Sequence, residues 1–125
     1  MHEFTDFIED VFRDFGTIQC RKMFGGYGVY YQGTMFALII DEVLYLKADA
    51  MDTEYFTSRN LPPFQYSREG KIYRLSYYQA PEEIFDDPVA AATVAENAYA
   101  AALRSGAKKA AKKKSLRRKE PTKPG

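Results

Sequence analysis

The chain is predicted to fold as α+β, a two-layer sandwich in which one antiparallel sheet carries helices in the order α-β4-α-β2-α. Three patterns point there. Apolar residues near the N-terminus repeat with the period of a helix. Between residues 18 and 47, short strand-like segments alternate with turn signals. Residues 88–105 hold eight alanines behind a strong helix start.

The elements follow in order. Phe4, Phe7, Ile8, Val11, Phe12 and Phe15 fall at i, i+3, i+4, i+7, i+8 and i+11, one face of an amphipathic helix, with Gly16 placed to end it. Strands are expected at about 18–23, 26–31, 34–40 and 43–47. They break at Gln32-Gly33 and Asp41-Glu42, where glycine or short polar side chains favour turns. Asp49 is positioned to cap a second helix over 50–59, which Asn60 and Pro62-Pro63 stop. A hairpin then runs through Phe64–Ser67, a turn at Arg68-Glu69-Gly70, and Lys71–Tyr78. Asp87-Pro88 starts the last helix, expected to reach Ser105 and end at Gly106, with Val94, Tyr99 and Leu103 as its bulky contacts.

At 125 residues and 46% hydrophobic, the chain fits one domain, residues 1–105, with an appendage, residues 106–125. One cysteine, Cys20, precludes an intramolecular disulfide and suits a reducing compartment. The N-terminus is acidic rather than signal-like, and the longest apolar run, Met35–Ile40, is far too short to span a bilayer. A cytoplasmic protein without membrane partners is expected.

The net charge of +1 hides a division. Residues 1–103 carry 16 acidic against 8 basic side chains, a net of −8, while residues 104–125 carry 10 basic side chains against one acidic, a net of +9. Two halves of such opposite sign imply different partners. From Gly106 onward the segment has one large apolar residue, Leu116, and no aromatic, so it is expected to be a disordered basic tail.

The segment Arg21-Lys22-Met23-Phe24-Gly25-Gly26-Tyr27-Gly28-Val29-Tyr30 is a glycine-rich entry into the strands, followed by Met35-Phe36 and Leu44-Tyr45-Leu46-Lys47. It lacks the Gly-Lys-Ser/Thr ending of a phosphate loop and leads into a strand rather than a helix. Gly26 and Gly28 are therefore read as sheet positions that permit close packing, and Gly25 as a residue of unusual φ. Together with Phe64-Gln65-Tyr66, Leu75-Ser76-Tyr77-Tyr78, Pro81 and the alanine-rich helix, this pattern resembles the TfoX/Sxy N-terminal domain, named after a bacterial regulator of DNA transformation competence. The resemblance covers residues 3 to 105 and independently implies a two-layer sandwich. It also implies a regulatory role in transcription beside a DNA-bound partner, and it supplies no catalytic residues.

Enzymatic constellations are thin, and no enzyme, cofactor or metal is expected. His2 is the one histidine and lies at a terminus. Cys20 reads as a small strand hydrophobe. The pairs Asp41-Glu42, Glu82-Glu83 and Asp86-Asp87 fall at turns or helix starts, where carboxylates are favoured anyway, and no His/Cys/Asp cluster has metal-ligand spacing.

Tyr27, Tyr31, Tyr45, Tyr73 and Tyr77 alternate along strands, so several are expected to share one sheet face. Such a face can stack on bases, but on a body of net charge −8 the reading favours core, rim or a protein-binding patch. The alternative is a tyrosine-lined cleft that binds or converts a small ligand. The candidate nucleic-acid-binding residues are Lys108, Lys109, Lys112, Lys113, Lys114, Arg117, Arg118 and Lys119, eight cations within twelve residues. They suit sequence-nonspecific contact with DNA phosphates; solubilisation, or folding back on the acidic body, are the competing readings. The sequence thus predicts a non-enzymatic adaptor whose body contacts a protein, the transcription machinery being the candidate source of that partner, and whose tail contacts DNA.

Overall fold

A computed structural model describes residues 3–23 and 25–119, with side chains through Ala107. His2 and Phe24 lie outside the described residues, as do residues 120–125 and the side chains of all eight candidate tail cations.

The first helix, α1 (Glu3–Val11), buries Thr5, Ile8 and Val11, and Phe12 follows fully buried in the turn beyond it. Four strands come next: β1 (Gln19–Met23), β2 (Gly26–Tyr31), β3 (Thr34–Ile40) and β4 (Val43–Lys47). A short helix, α2 (Thr53–Thr57), precedes the hairpin of β5 (Pro63–Arg68) and β6 (Lys71–Gln79). A 3-10 turn over Glu82–Asp86 leads into the last helix, α3 (Pro88–Lys119). The strands form one antiparallel sheet of order β1-β2-β3-β4-β6-β5. The predicted α+β sandwich and its element order are therefore observed.

The tight turns explain the strand limits. Gln32-Gly33, Asp41-Glu42 and Glu69-Gly70 each have positive φ at both central residues, the backbone that matches the right-handed twist of two antiparallel strands. Asp41 and Glu42 adopt it without a glycine.

Three sequence expectations are corrected. The second helix is shorter than 50–59, because residues 49–52 form a turn in which the Asp49 carboxylate accepts a hydrogen bond from the Met51 N–H (3.1 Å), leaving Asp52 at the helix boundary. The acidic Glu82–Asp86 stretch, read as a turn and helix start, makes a 3-10 turn that buries Ile84. The last helix does not end at Gly106 but continues to Lys119. Gly106 does not take a left-handed φ, so it caps nothing. The alanines and lysines that follow are strong helix formers, and they propagate a helix past one glycine at a cost of about 1 kcal/mol.

The core lies between the helices and one face of the sheet. Val29, Phe36, Ala37, Ile39, Leu44 and Leu46 project from the strands against Ile8, Val11 and Phe12 on one side and the small-residue face of α3 on the other. That face is Ala91, Val94, Ala95, Ala98 and Ala102, whose short side chains let the helix approach β3 and β4 closely. Tyr99 adds bulk, edge-on to Tyr31 (centroids 5.0 Å), whereas Leu103 is exposed, contrary to its expected contact role.

Candidate functional site

Register assigns each strand side chain to a face. In β1 and β2, Cys20 pairs with Val29 on the helix-covered side, whereas Arg21 pairs with Gly28, and Met23 with Gly26, on the open side. In β3 and β4, Leu38 pairs with Tyr45 on the open side; Lys47 pairs with Tyr77 of β6 there too. The open face is thus built from Arg21, Met23, Tyr30, Met35, Leu38, Tyr45, Lys47, Tyr77 and the rings of the β5–β6 hairpin.

Gly28 is the floor of this face. A Cβ there would lie 2.7 Å from the Met35 sulfur, 2.8 Å from the Met23 sulfur and 3.0 Å from the Tyr30 ring. The missing side chain is what lets these three lie flat across the strands. Gly26 serves the ladder instead, since its Cβ would sit 1.9 Å from the Ile39 carbonyl oxygen. The glycine motif is structural, as read, although what packs over it is side chains rather than a whole element. Gly25 has the unusual φ expected, +82°.

Above this floor the open face packs on itself. Leu38 is only 3% exposed and Tyr77 8%, although no helix covers them. The Arg21 guanidinium lies 4.8 Å from the Tyr30 ring centroid, and the Lys47 ammonium 5.1 Å from that of Tyr77 while its Nζ donates to Ser76 Oγ (2.9 Å). Both are cation–π distances. Burial, with Tyr30 nearby, pushes the Tyr77 hydroxyl up to about 12, so it stays protonated. Tyr45 meets Phe64 edge-on (5.1 Å), Phe64 stacks on Tyr66 (6.2 Å) and Tyr66 on Tyr73 (5.2 Å, 21° between planes). A row of rings runs from the middle of the sheet out along the hairpin.

Of the five alternating tyrosines, of which several are expected to share one face, three do. Tyr27 and Tyr31 pack against the covered core, and Tyr45, Tyr73 and Tyr77 face outward. Tyr30, Phe64 and Tyr66 also belong to the open face, outside that alternating set. Within β2 the alternation is regular; the register shift opposite Val29/Tyr30 falls on β3, where Phe36 and Ala37 are both buried.

Charge is also partitioned by layer. Among the described residues the six strands hold no aspartate or glutamate, but they hold Arg21, Lys22, Lys47, Arg68, Lys71 and Arg74, six of the eight cations of residues 1–103. The acidic groups sit on helices, turns and connections. The net charge of −8 is therefore a property of the helical layer and the loops, and the open face is locally cationic.

Where α3 leaves the body, Arg104 Nη2 donates to Asp49 Oδ1 (3.1 Å) and Asp52 Oδ2 (3.3 Å), and its Nε to Asp49 Oδ2. The Arg104 hydrogen bonds hold the Asp49 carboxyl below its usual range, while burial, then the Asp49 charge, raises that of Asp52. This clasp fixes the helix beside Lys47 and Ser76, so the cationic stretch of α3 begins near the root of the β5–β6 hairpin.

Cys20 is a half-buried strand residue whose thiol is pushed up to about 11 by burial, then by Glu9 and Asp6. A thiol held protonated is a poor nucleophile. A cleft of about 390 Å³ between α1 and the end of β6 is lined by Phe4, Phe7 and Phe85 with Glu42 and Glu82, and contains no tyrosine. Among the described residues no three His, Cys, Asp or Glu side chains are grouped to hold a metal ion, and no helix is long and apolar enough to cross a membrane.

One sheet, sheathed by helices on one side and uncovered on the other among the described residues, with a glycine-rich first hairpin, defines a two-layer α+β domain. The TfoX N-terminal domain family matches residues 10–102, and the chain belongs to that family. It is 28% identical over 89 residues to Protein Sxy of Escherichia coli (strain K12), an overlap that is 71% of this chain and 43% of that protein. The chain spans less than half the length of that relative.

Proposed function

We propose that this chain is a non-enzymatic regulatory adaptor of the competence-regulator type, acting in transcription in the cytoplasm. Its body contacts a protein of the transcription machinery, and its basic segment holds duplex DNA without sequence preference. The observation that carries the reading is membership of the TfoX N-terminal domain family over residues 10–102, joined to residues 104–125 of net charge +9. Lys108, Lys109, Lys112, Lys113, Lys114, Arg117, Arg118 and Lys119 are the residues assigned to phosphates. If about six phosphates are neutralised, log K against log salt falls with a slope near −5.

Truncation after Ser105 tests this, since the Arg104 clasp is retained. Duplex binding followed over a salt series should disappear while the unfolding midpoint is kept. Duplex binding that survives truncation unchanged would refute the role given to the segment. Affinity capture from nuclease-treated extract, with and without residues 106–125, tests the protein contact; a partner retained by the truncated chain is the expected result.

A further inference from the structure

We propose that the open face of the sheet, led by the β5–β6 hairpin, binds single-stranded nucleic acid, with bases stacked on Tyr66 and Tyr73 and phosphates held by Arg68 and Lys71. The inference concerns a site other than the basic segment and stands without it.

Geometry comes first. Strand β4 pairs with β6 only at Tyr77–Gln79, so residues 65–76 project beyond the sheet as a two-stranded ribbon, exposed along its length. Most of the exposed large apolar side chains of the strands gather on it: Tyr66 and Tyr73 are 40% and 41% exposed, Ile72 69% and Leu75 38%. Tyr66 and Tyr73 are direct cross-strand partners. The stack continues to Phe64, which Tyr45 meets edge-on.

Charge selects the occupant. Arg68 and Lys71, cross-strand partners on the face that carries Tyr66 and Tyr73, make no ion pair among the described residues, and Lys47 lies on the same face beside Tyr77; Arg74 pairs with Gln65 on the other face of the ribbon. Glu69, in the turn at the tip, is the one carboxylate of the hairpin. A cationic border around exposed rings complements a polyanion that carries π faces of its own. In a duplex those faces are already stacked on one another; in a single strand they are free to lie on tyrosine. A second copy of the chain is the poorer fit, because a two-fold pairing of this ribbon would set its cations against themselves. The objection that the body repels phosphates applies to its helical layer, not to this face.

The test uses the full chain and a fluorescent thymidine oligonucleotide of about 16 nucleotides, with a uridine oligonucleotide and a duplex of equal length beside it. Tyr66→Ala and Tyr73→Ala should each weaken single-strand binding by about 5- to 100-fold, while Tyr66→Phe and Tyr73→Phe restore it. Duplex binding should not move in these variants. Arg68→Ser with Lys71→Ser should flatten the single-strand salt slope by about 1.4. Binding to either the thymidine or the uridine strand supports the proposal, and the ratio between them reports whether the sugar is read. The proposal is overturned if the alanine variants, folded by circular dichroism, bind both strands as the parent does. It is equally overturned if sedimentation without nucleic acid shows a dimer that Tyr73→Ala dissociates. Loss of duplex binding alone, on truncation after Ser105, bears on the basic segment and leaves this site standing.

Discussion

The two faces of the sheet are made by the same strands and differ in what they ask of each residue. The covered face is aliphatic and aromatic, closed by alanines of α3, with Val29, Phe36 and Leu46 wholly buried. The open face is made of tyrosines, methionines, arginine and lysine around a glycine floor, and it buries Leu38 and Tyr77 without help from another layer. The difference teaches that average charge is a poor guide to what a surface can meet. An acidic total of −8 coexists with a sheet that has no acidic side chain, because acidic residues are favoured in turns and first helical turns and were placed there.

The contrast breaks first on the covered side. Phe36→Ala removes a ring that meets Phe12 and Phe15 at 5.7 and 5.4 Å, and should cost about 3–5 kcal/mol in denaturant unfolding, a large part of the stability of a domain this size. Gly26→Ala, at the seam of the two faces, should cost about 3 kcal/mol, because its Cβ collides with backbone and the first rung of the β2–β3 ladder has to move. Gly28→Ala should cost less, about 1 kcal/mol, since thioethers can shift where a carbonyl cannot. Tyr73→Ala on the ribbon should stay within about 1 kcal/mol of the parent, and a larger loss would show that the open face is part of the core.

The smallest effects are electrostatic. Asp49 is ionised more readily in the folded chain than in the unfolded one, so its stabilisation is present above the unfolded carboxylate value and lost as pH falls through the lower folded value. Asp52 is shifted the other way, so its contribution is present in acid and lost as pH rises through its raised folded value. Asp49→Asn should therefore lower the melting temperature by a few degrees at most near neutrality, the gap closing in acid, whereas Asp52→Asn should be neutral or slightly stabilising near neutrality. Melting curves from pH 2 to 7 check both signs. Cys20 should react with a thiol reagent at pH 8 far more slowly than a free thiol, and at equal rate once the chain is unfolded.

The sequence made the fold legible where local chemistry decides it. Gln32-Gly33, Asp41-Glu42 and Glu69-Gly70 delimit strands because two-residue turns need their backbone, and Asp87 caps its helix through the Ala90 N–H as expected (3.1 Å). The face of each tyrosine is not legible, because alternation says which residues of one strand share a face, while which of those faces meets the helices is set by tertiary pairing between strands. The end of α3 is not legible at Gly106, because the helix formers beyond it outweigh one glycine. The open face was hidden by summing charge over residues that the fold sends to opposite layers.

The segregation of charge described above has a consequence for handling the protein. With a total of +1, acidic residues concentrated in 1–103 and basic ones in 104–125, the chain has poles of opposite sign along its sequence and a sequence isoelectric point of about 7.8, close to neutrality. Neighbouring molecules attract pole to pole in dilute buffer, and added electrolyte shortens the reach of that attraction to about 8 Å at 0.15 M. Solubility should rise with sodium chloride, a salting-in that a uniformly charged domain of the same composition would not show.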